Sequence, residues 1–359
     1  MELGIDSFAA VVSDPVTGVT LSPADRLANL LEEIEVADRS GVHSFGVGEH
    51  HRPEYLDSAP SLILAAAAAR TSRIRLNSAV TVLSADDPVR VFQQYATLDL
   101  LSRGRAELVV GRGSFIEAYP LFGLNTQDYD SLFSEKLELL LRLREDTHVH
   151  WSGRHRAPLR GQGVYPRPQQ AQLPVWVGVG GTPESFVRAG RLGLPLMVAI
   201  IGGDFRAFRP LVDLYRAAGA QAGHAPDTLR VGVHAFGFVG DSDAGARDDF
   251  WPGYARMLDT LGRERGWAPP NRAQFDAACG PTGPYLIGTP DTVAAKLRFV
   301  HAALGGVDRL SFQMTNVLMP HARMLRSVEL LGREVAPQVA DLERPGGVPG
   351  SRTAGARRA

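Results

Sequence analysis

A chain of 359 residues, 44% of them hydrophobic and 21% charged, exceeds the usual size of one hydrophobic core, so it forms either two modest domains or one barrel of the kind that reaches this length. Thirty-eight Lys and Arg against 39 Asp and Glu give a formal charge of -1, which leaves no overall field for anionic lipid and makes nucleic acid a poor partner. One cysteine, Cys279, excludes an intramolecular disulfide and a cysteine-built zinc cage; with an acidic start, "MELGIDSFAAVV", and no apolar run longer than "SLILAAAAA", a cytoplasmic protein without a membrane span is expected.

Taken in chain order, strand-like runs fall at 2–11, 44–50, 74–83, 106–113, 174–180, 195–201, 231–240 and 309–315. Helix signals lie between them. Ser22-Pro23 opens a helix that Gly41 stops, and Asp87-Pro88 opens one that runs to Gly104; Thr182-Pro183, Gly203-Asp204 and Thr289-Pro290 mark three further starts. Eight strand–helix alternations without a change of order predict an α/β protein, a (β/α)8 TIM barrel, although an open doubly wound sheet carries the same local signals. Two segments rich in Pro, Gly and aromatics, 146–173 and 263–288, exceed the minimal repeat and read as insertions, the second of them expected to cover the site. Residues 1–344 are expected to form a single domain, and 345–359, "PGGVPGSRTAGARRA", a flexible tail.

The stretch "GEHHRP" places Glu49, His50 and His51 where an apolar strand ends. Strand alternation puts Phe45, Val47 and Glu49 on one face and Gly46, Gly48 and His50 on the other. If the glycine face looks into the barrel, it leaves open volume beneath the His50 imidazole, which makes His50 the catalytic candidate. Glu49 and His51 then point towards the helices unless the strand twists, as groups that could orient it. A metal site would need ligands from several strands, and the first offers only Asp6, so no metal is expected. Proton transfer or hydrogen bonding to a ligand is favoured, with structural polar residues as the alternative.

A second constellation, "VGVGGTPES", runs from a strand into a helix through Gly180-Gly181, with Thr182 at the N-cap and Pro183 in the first turn. Free backbone N–H groups and the positive helix end make Gly181, Thr182 and Ser185 an anion socket, or simply a well-capped helix. In "VVGRGSF", Arg112 ends a strand; on the site face it can grip a phosphate, and together the two elements favour a phosphorylated cofactor. His234, mid-strand, reads as a core histidine bonded to a neighbour.

The order "GVHSFGVGEHHRPEY", "IRLNSAVTVLSADDPVRVFQQYATLDLLSRGRAELVVGRG" and "LPVWVGVGGTPESFVRAGRLG" resembles the bacterial luciferase-like family of flavin-dependent oxidoreductases, over about residues 1–335. The resemblance implies a barrel that holds FMN, or in some branches a deazaflavin coenzyme, at the strand C-termini. By position it implies that Glu49, His50 and His51 act as base and hydrogen-bonding groups near the flavin, that Ala79 and Val80 form a cis peptide against its ring, and that Arg112, Gly181, Thr182 and Ser185 grip its phosphate. It further implies a monooxygenase that takes reduced FMN from a separate reductase and oxidises a small organic substrate with O2, commonly as a homodimer. Rival readings are a deazaflavin-dependent dehydrogenase, with Arg154, Arg156, Arg160 and Arg167 lining a groove for an acidic tail, and a non-catalytic flavin-binding protein. Where luciferase has a reactive cysteine before the matching arginine, this chain has Gly111, so flavin chemistry is expected without light emission.

Overall fold

The computed structural model describes residues 1–342, so the 345–359 tail lies outside the described residues. Its strands are β1 (Glu2–Ser7), β2 (Ser44–Val47), β3 (Arg75–Ser78), β4 (Thr81–Val82), β5 (Ala106–Gly111), β6 (His148–Trp151), β7 (Leu159–Gly163), β8 (Val175–Val179), β9 (Leu196–Ala199), β10 (Val231–Val239), β11 (Leu286–Gly288) and β12 (Arg309–Gln313). The pairing β1-β2-β3-β5-β8-β9-β10-β12 returns to β1 with every step parallel, closing an eight-stranded barrel. The expected (β/α)8 architecture is therefore the observed one.

The helices that matter for the site and for covering the barrel are α1 (Pro23–Ser40), α2 (Pro60–Ala68), α3 (Pro88–Leu101), α4 (Ala118–Leu121), α5 (Tyr129–Glu145), α6 (Pro183–Arg191), α7 (Arg209–Gln221), α8 (Asp243–Arg265), α9 (Arg272–Ala278) and α10 (Pro290–Ala303). Their starts follow the local chemistry. The Ser22 hydroxyl accepts from Asp25 N–H ahead of α1, Asp87 accepts from Val89 and Arg90 N–H ahead of α3, and Thr289 accepts from Thr292 N–H ahead of α10. Gly41, at φ 91°, ends α1 in the left-handed conformation that glycine adopts without a Cβ penalty. The α3 helix stops earlier than expected, at Leu101, with Ser102 in the C-cap position.

The N-terminal end of the barrel is plugged. Arg309, 1% exposed, donates to Glu2 Oε2 at 2.9 Å and to Glu107 Oε1 at 3.2 Å while its guanidinium lies 4.7 Å over the Trp176 ring. Above this floor, Val109, Trp176 and Met197 pack with Val80. Only the opposite, C-terminal end is left for a ligand.

Two expectations need correction. The run 74–83 is not one strand: β3 ends at Ser78 and β4 resumes at Thr81, with the cis peptide Ala79–Val80 between them, and the Ser78 hydroxyl takes over pairing with β5, donating to Val109 O at 2.8 Å and accepting from Val109 N–H at 3.2 Å. The 146–173 segment is an insertion as expected, built as an antiparallel hairpin, β6 with β7. The 263–288 segment is not one cover but the last turn of α8, then α9, then β11 paired with β10. Only its first residues reach the site: Glu264 pairs with Arg52, and Arg265 donates to Ser114 O at 3.2 Å.

Candidate active site

The glycine face of β2 does look inward. A Cβ at Gly46 would lie 2.7 Å from Asn77 Nδ2 and collide with the Asp6 carboxylate as well, so glycine here lets side chains of β1 and β3 share the lumen. Asp6 in turn holds His234 Nδ1 at 2.7 Å, which agrees with the reading of His234 as a bonded core histidine. Asn77 Nδ2 donates to Ser78 O at 2.9 Å, while Asn77 Oδ1 is buried without a partner, a polar atom left to be satisfied at the barrel mouth.

Past Val47 the chain leaves the sheet, and the Glu49-His50-His51 triplet divides its tasks differently from the alternation argument. Glu49 does not orient His50. Its Oε2 accepts from Val82 N–H at 2.9 Å, just beyond the cis pair, and its Oε1 lies 3.2 Å from His51 Nε2. The hydrogen bond that Glu49 accepts from the ring holds the His51 pKa above its ordinary value, against the opposing effect of burial. The group that meets His50 is Asp57, whose Oδ2 is 2.9 Å from His50 Nδ1. The His50 ring is caged by Phe8, Tyr55 and Phe115 at centroid distances of 4.5, 4.6 and 5.3 Å. Burial pushes the Tyr55 hydroxyl up to about 12, so it is a neutral wall of that cage.

Phe115 belongs to the segment after β5, and Arg52 and Arg265 stack over it at 4.9 and 5.1 Å. Arg52 is paired with Glu54, Glu117 and Glu264, tying this segment to the end of α8. Beneath it, a cavity of about 10 Å³ lined by His50, His51, Val82 and Phe115 has room for no more than one water.

The cis pair Ala79–Val80 sits between β3 and β4 as expected. Val80 is a wedge: a Cβ at Gly111 would lie 2.7 Å from Val80 Cγ2, and one at Gly178 would lie 2.8 Å from Val80 Cγ1. A side chain at Gly111 or Gly178 would therefore meet this valine first.

The residues read as an anion socket come together from two distant segments. Arg112, at the end of β5, donates to the buried Ser185 Oγ at 3.3 Å, is paired with Asp130, and lies 4.8 Å over the Tyr129 ring. The Thr182 hydroxyl makes no capping bond, and added Cβ atoms at Gly180 or Gly181 would meet nothing within 4 Å, so the N-terminus of α6 opens on free space. Sequence reasoning missed Arg188, one turn into α6: burial, then the charge of Arg112, lowers its pKa, so a second cation lies close to the first. It missed Asp57, Tyr55 and Phe115 as well.

A family model described as luciferase-like monooxygenase matches residues 1–306. The chain belongs to that family. It is 30% identical over 358 residues to 4-hydroxyprotoasukamycin monooxygenase of Streptomyces nodosus subsp. asukaensis, covering 92% of each chain. Among solved structures, the oxygenating constituent of 3,6-diketocamphane monooxygenase from Pseudomonas putida, in complex with FMN, superposes with a TM-score of 0.77 at 21% identity, covering 96% of this chain and 99% of that one. An F420-dependent secondary alcohol dehydrogenase superposes at 0.73 and 17% identity, covering 94% and 98%. These two share the barrel fold. Among the described residues no helix is long and apolar enough to cross a membrane, and no group of three His, Cys, Asp or Glu is placed to hold a metal ion.

Proposed function

We propose that the protein is a flavin-dependent monooxygenase that uses reduced FMN and O2 to oxidise a small organic substrate. The observation that carries this reading is the meeting of Arg112 and Ser185, 73 residues apart, at the open N-terminus of α6, on the same barrel rim as His50 and the Ala79–Val80 pair. A guanidinium group, a hydroxyl and backbone N–H groups make a donor set suited to a phosphate dianion. Bound there, reduced FMN supplies the electron pair for O2. Arg112, Gly181, Thr182 and Ser185 hold the phosphate; Ala79 and Val80 support the ring; Glu49 fixes that support through Val82 N–H, and His51 steadies Glu49. His50 receives or returns a proton at Nε2, and its aromatic cage keeps bulk water from that exchange.

The FMN reading is favoured over a deazaflavin because three of the four arginines of the first insertion are already engaged. Arg154 pairs with Asp128, Arg156 pairs with Asp87, and Arg167 donates to the carbonyls of Leu143 and Arg144. The same proposal has a separate reductase supplying reduced FMN in the cytoplasm to a homodimer. In support of the homodimer, a cavity of about 310 Å³ between α2 and α3 is flanked by Leu62 and Leu101, 72% and 58% exposed.

The test is anaerobic titration with reduced FMN and with a reduced deazaflavin, followed by O2 while flavin absorbance and oxygen uptake are recorded. Tight binding of FMN with oxygen-dependent product formation is expected. Binding of the deazaflavin alone would place the protein among hydride-transfer enzymes, and bound FMN that stays inert to oxygen and substrates would make it a binding protein.

A further inference from the structure

We infer that Asp57 is the positioning residue for His50: its carboxylate fixes the imidazole with the proton on Nδ1, so that Nε2 presents a lone pair to the barrel mouth. This deepens the proposed function and rests on it for the part that His50 plays in turnover. Three observations carry it. The two side chains are 2.9 Å apart and both buried, with Asp57 0% exposed. An imidazole is more basic than a carboxyl group, so the proton they share sits on nitrogen, and a carboxylate offers only acceptors.

The second observation is the choice available to His50. The neighbouring charged groups are otherwise engaged: Glu49 with Val82 N–H and His51, Asp6 with His234, and Arg52 with Glu54, Glu117 and Glu264. Among the described residues Asp57 is the acceptor that reaches Nδ1, and no protein partner is seen for Nε2. The third is that burial raises the Asp57 carboxyl while the bond to His50, together with the backbone N–H groups of Asp57 and His50, works the other way, so the partner of the ring is itself held in place from the backbone side.

The experiment has two readouts. Long-range 1H–15N spectra of 15N-histidine-labelled, flavin-free protein report the His50 tautomer, assigned by loss of its signals in His50→Gln. The wild type is expected as the Nδ1–H form, and Asp57→Asn, whose amide can donate to Nδ1, as the Nε2–H form. In the second readout, Asp57→Asn should lower turnover with reduced FMN and O2 by roughly 100-fold or more while FMN affinity stays within about twofold. An Nε2–H tautomer in the wild type, or Asp57→Asn turnover within about threefold of it, overturns the inference. Should the Asn variant not fold, Asp57→Ala carries the same expectation for turnover and the wild-type tautomer still decides. Should wild-type protein show no oxygen-dependent turnover with FMN, the proposed function fails while the tautomer, read without cofactor, tests Asp57 by itself.

Discussion

His50 is held on one nitrogen and walled by three aromatic rings, so its substitution should separate binding from chemistry. Replacing His50 with Ala is expected to reduce turnover by about 100-fold or more, the size of general acid–base contributions, with little change in flavin affinity; equal losses in both would remove His50 from the chemistry. His51 behaves differently. Because Glu49 raises its pKa, the charged pair that steadies Val82 is complete at and below the ordinary histidine pKa of about 6.5 and weakens as pH rises through the higher folded value. An NMR titration should place the His51 midpoint above that of a free histidine, and Glu49→Gln should bring it down. These residues were legible in the sequence because three polar side chains interrupt an apolar strand. Asp57 was not, since it lies in an irregular loop seven residues after His50, where no period links the two and only the backbone path returns the carboxylate to the ring.

At the scale of elements, the eight barrel strands were all legible, but each was read too long at its C-terminal end. The run 44–50 ends as β2 at Val47, and 309–315 ends as β12 at Gln313. Apolar and small residues continue past the last ladder bond because the rim is buried by side chains from other strands rather than by pairing. Those extra residues include Glu49, His50 and Arg112 of the candidate site. The candidate anion socket was legible for the opposite reason, since a cap, a proline and paired glycines act locally, whereas Arg188 lies in the body of α6, where no local signal marks it. Arg112→Ala should weaken FMN binding by roughly 10- to 100-fold, as expected for loss of a charge-assisted bond, and riboflavin binding hardly at all. Equal weakening of both ligands would move Arg112 away from the phosphate.

The whole barrel has a charged floor that the sequence did not announce, because Glu2, Glu107 and Arg309 are far apart along the chain and each looks like a surface residue. Burial alone would raise the Glu2 carboxyl, but Arg309 and Arg230 outweigh it and hold it down at about 2, and Glu107 is lowered in the same way by Arg309. Depressed carboxylates stabilise the fold above their unfolded pKa, so the melting temperature should hold from neutral pH to about 5 and fall as pH drops from about 4.5 towards 2. Glu2→Gln should flatten that fall. Glu107→Ala, which leaves Arg309 buried with one partner fewer, should cost about 3 kcal/mol in chemical denaturation. Across the same lumen the Val80 wedge ties together three positions that no local pattern connects. A side chain at 111 or 178 would meet the Val80 methyl groups at less than 3.0 Å, so the valine must shift to admit one, and Gly111→Cys should be accommodated better together with Val80→Ala than alone, as melting temperatures of the two variants would read.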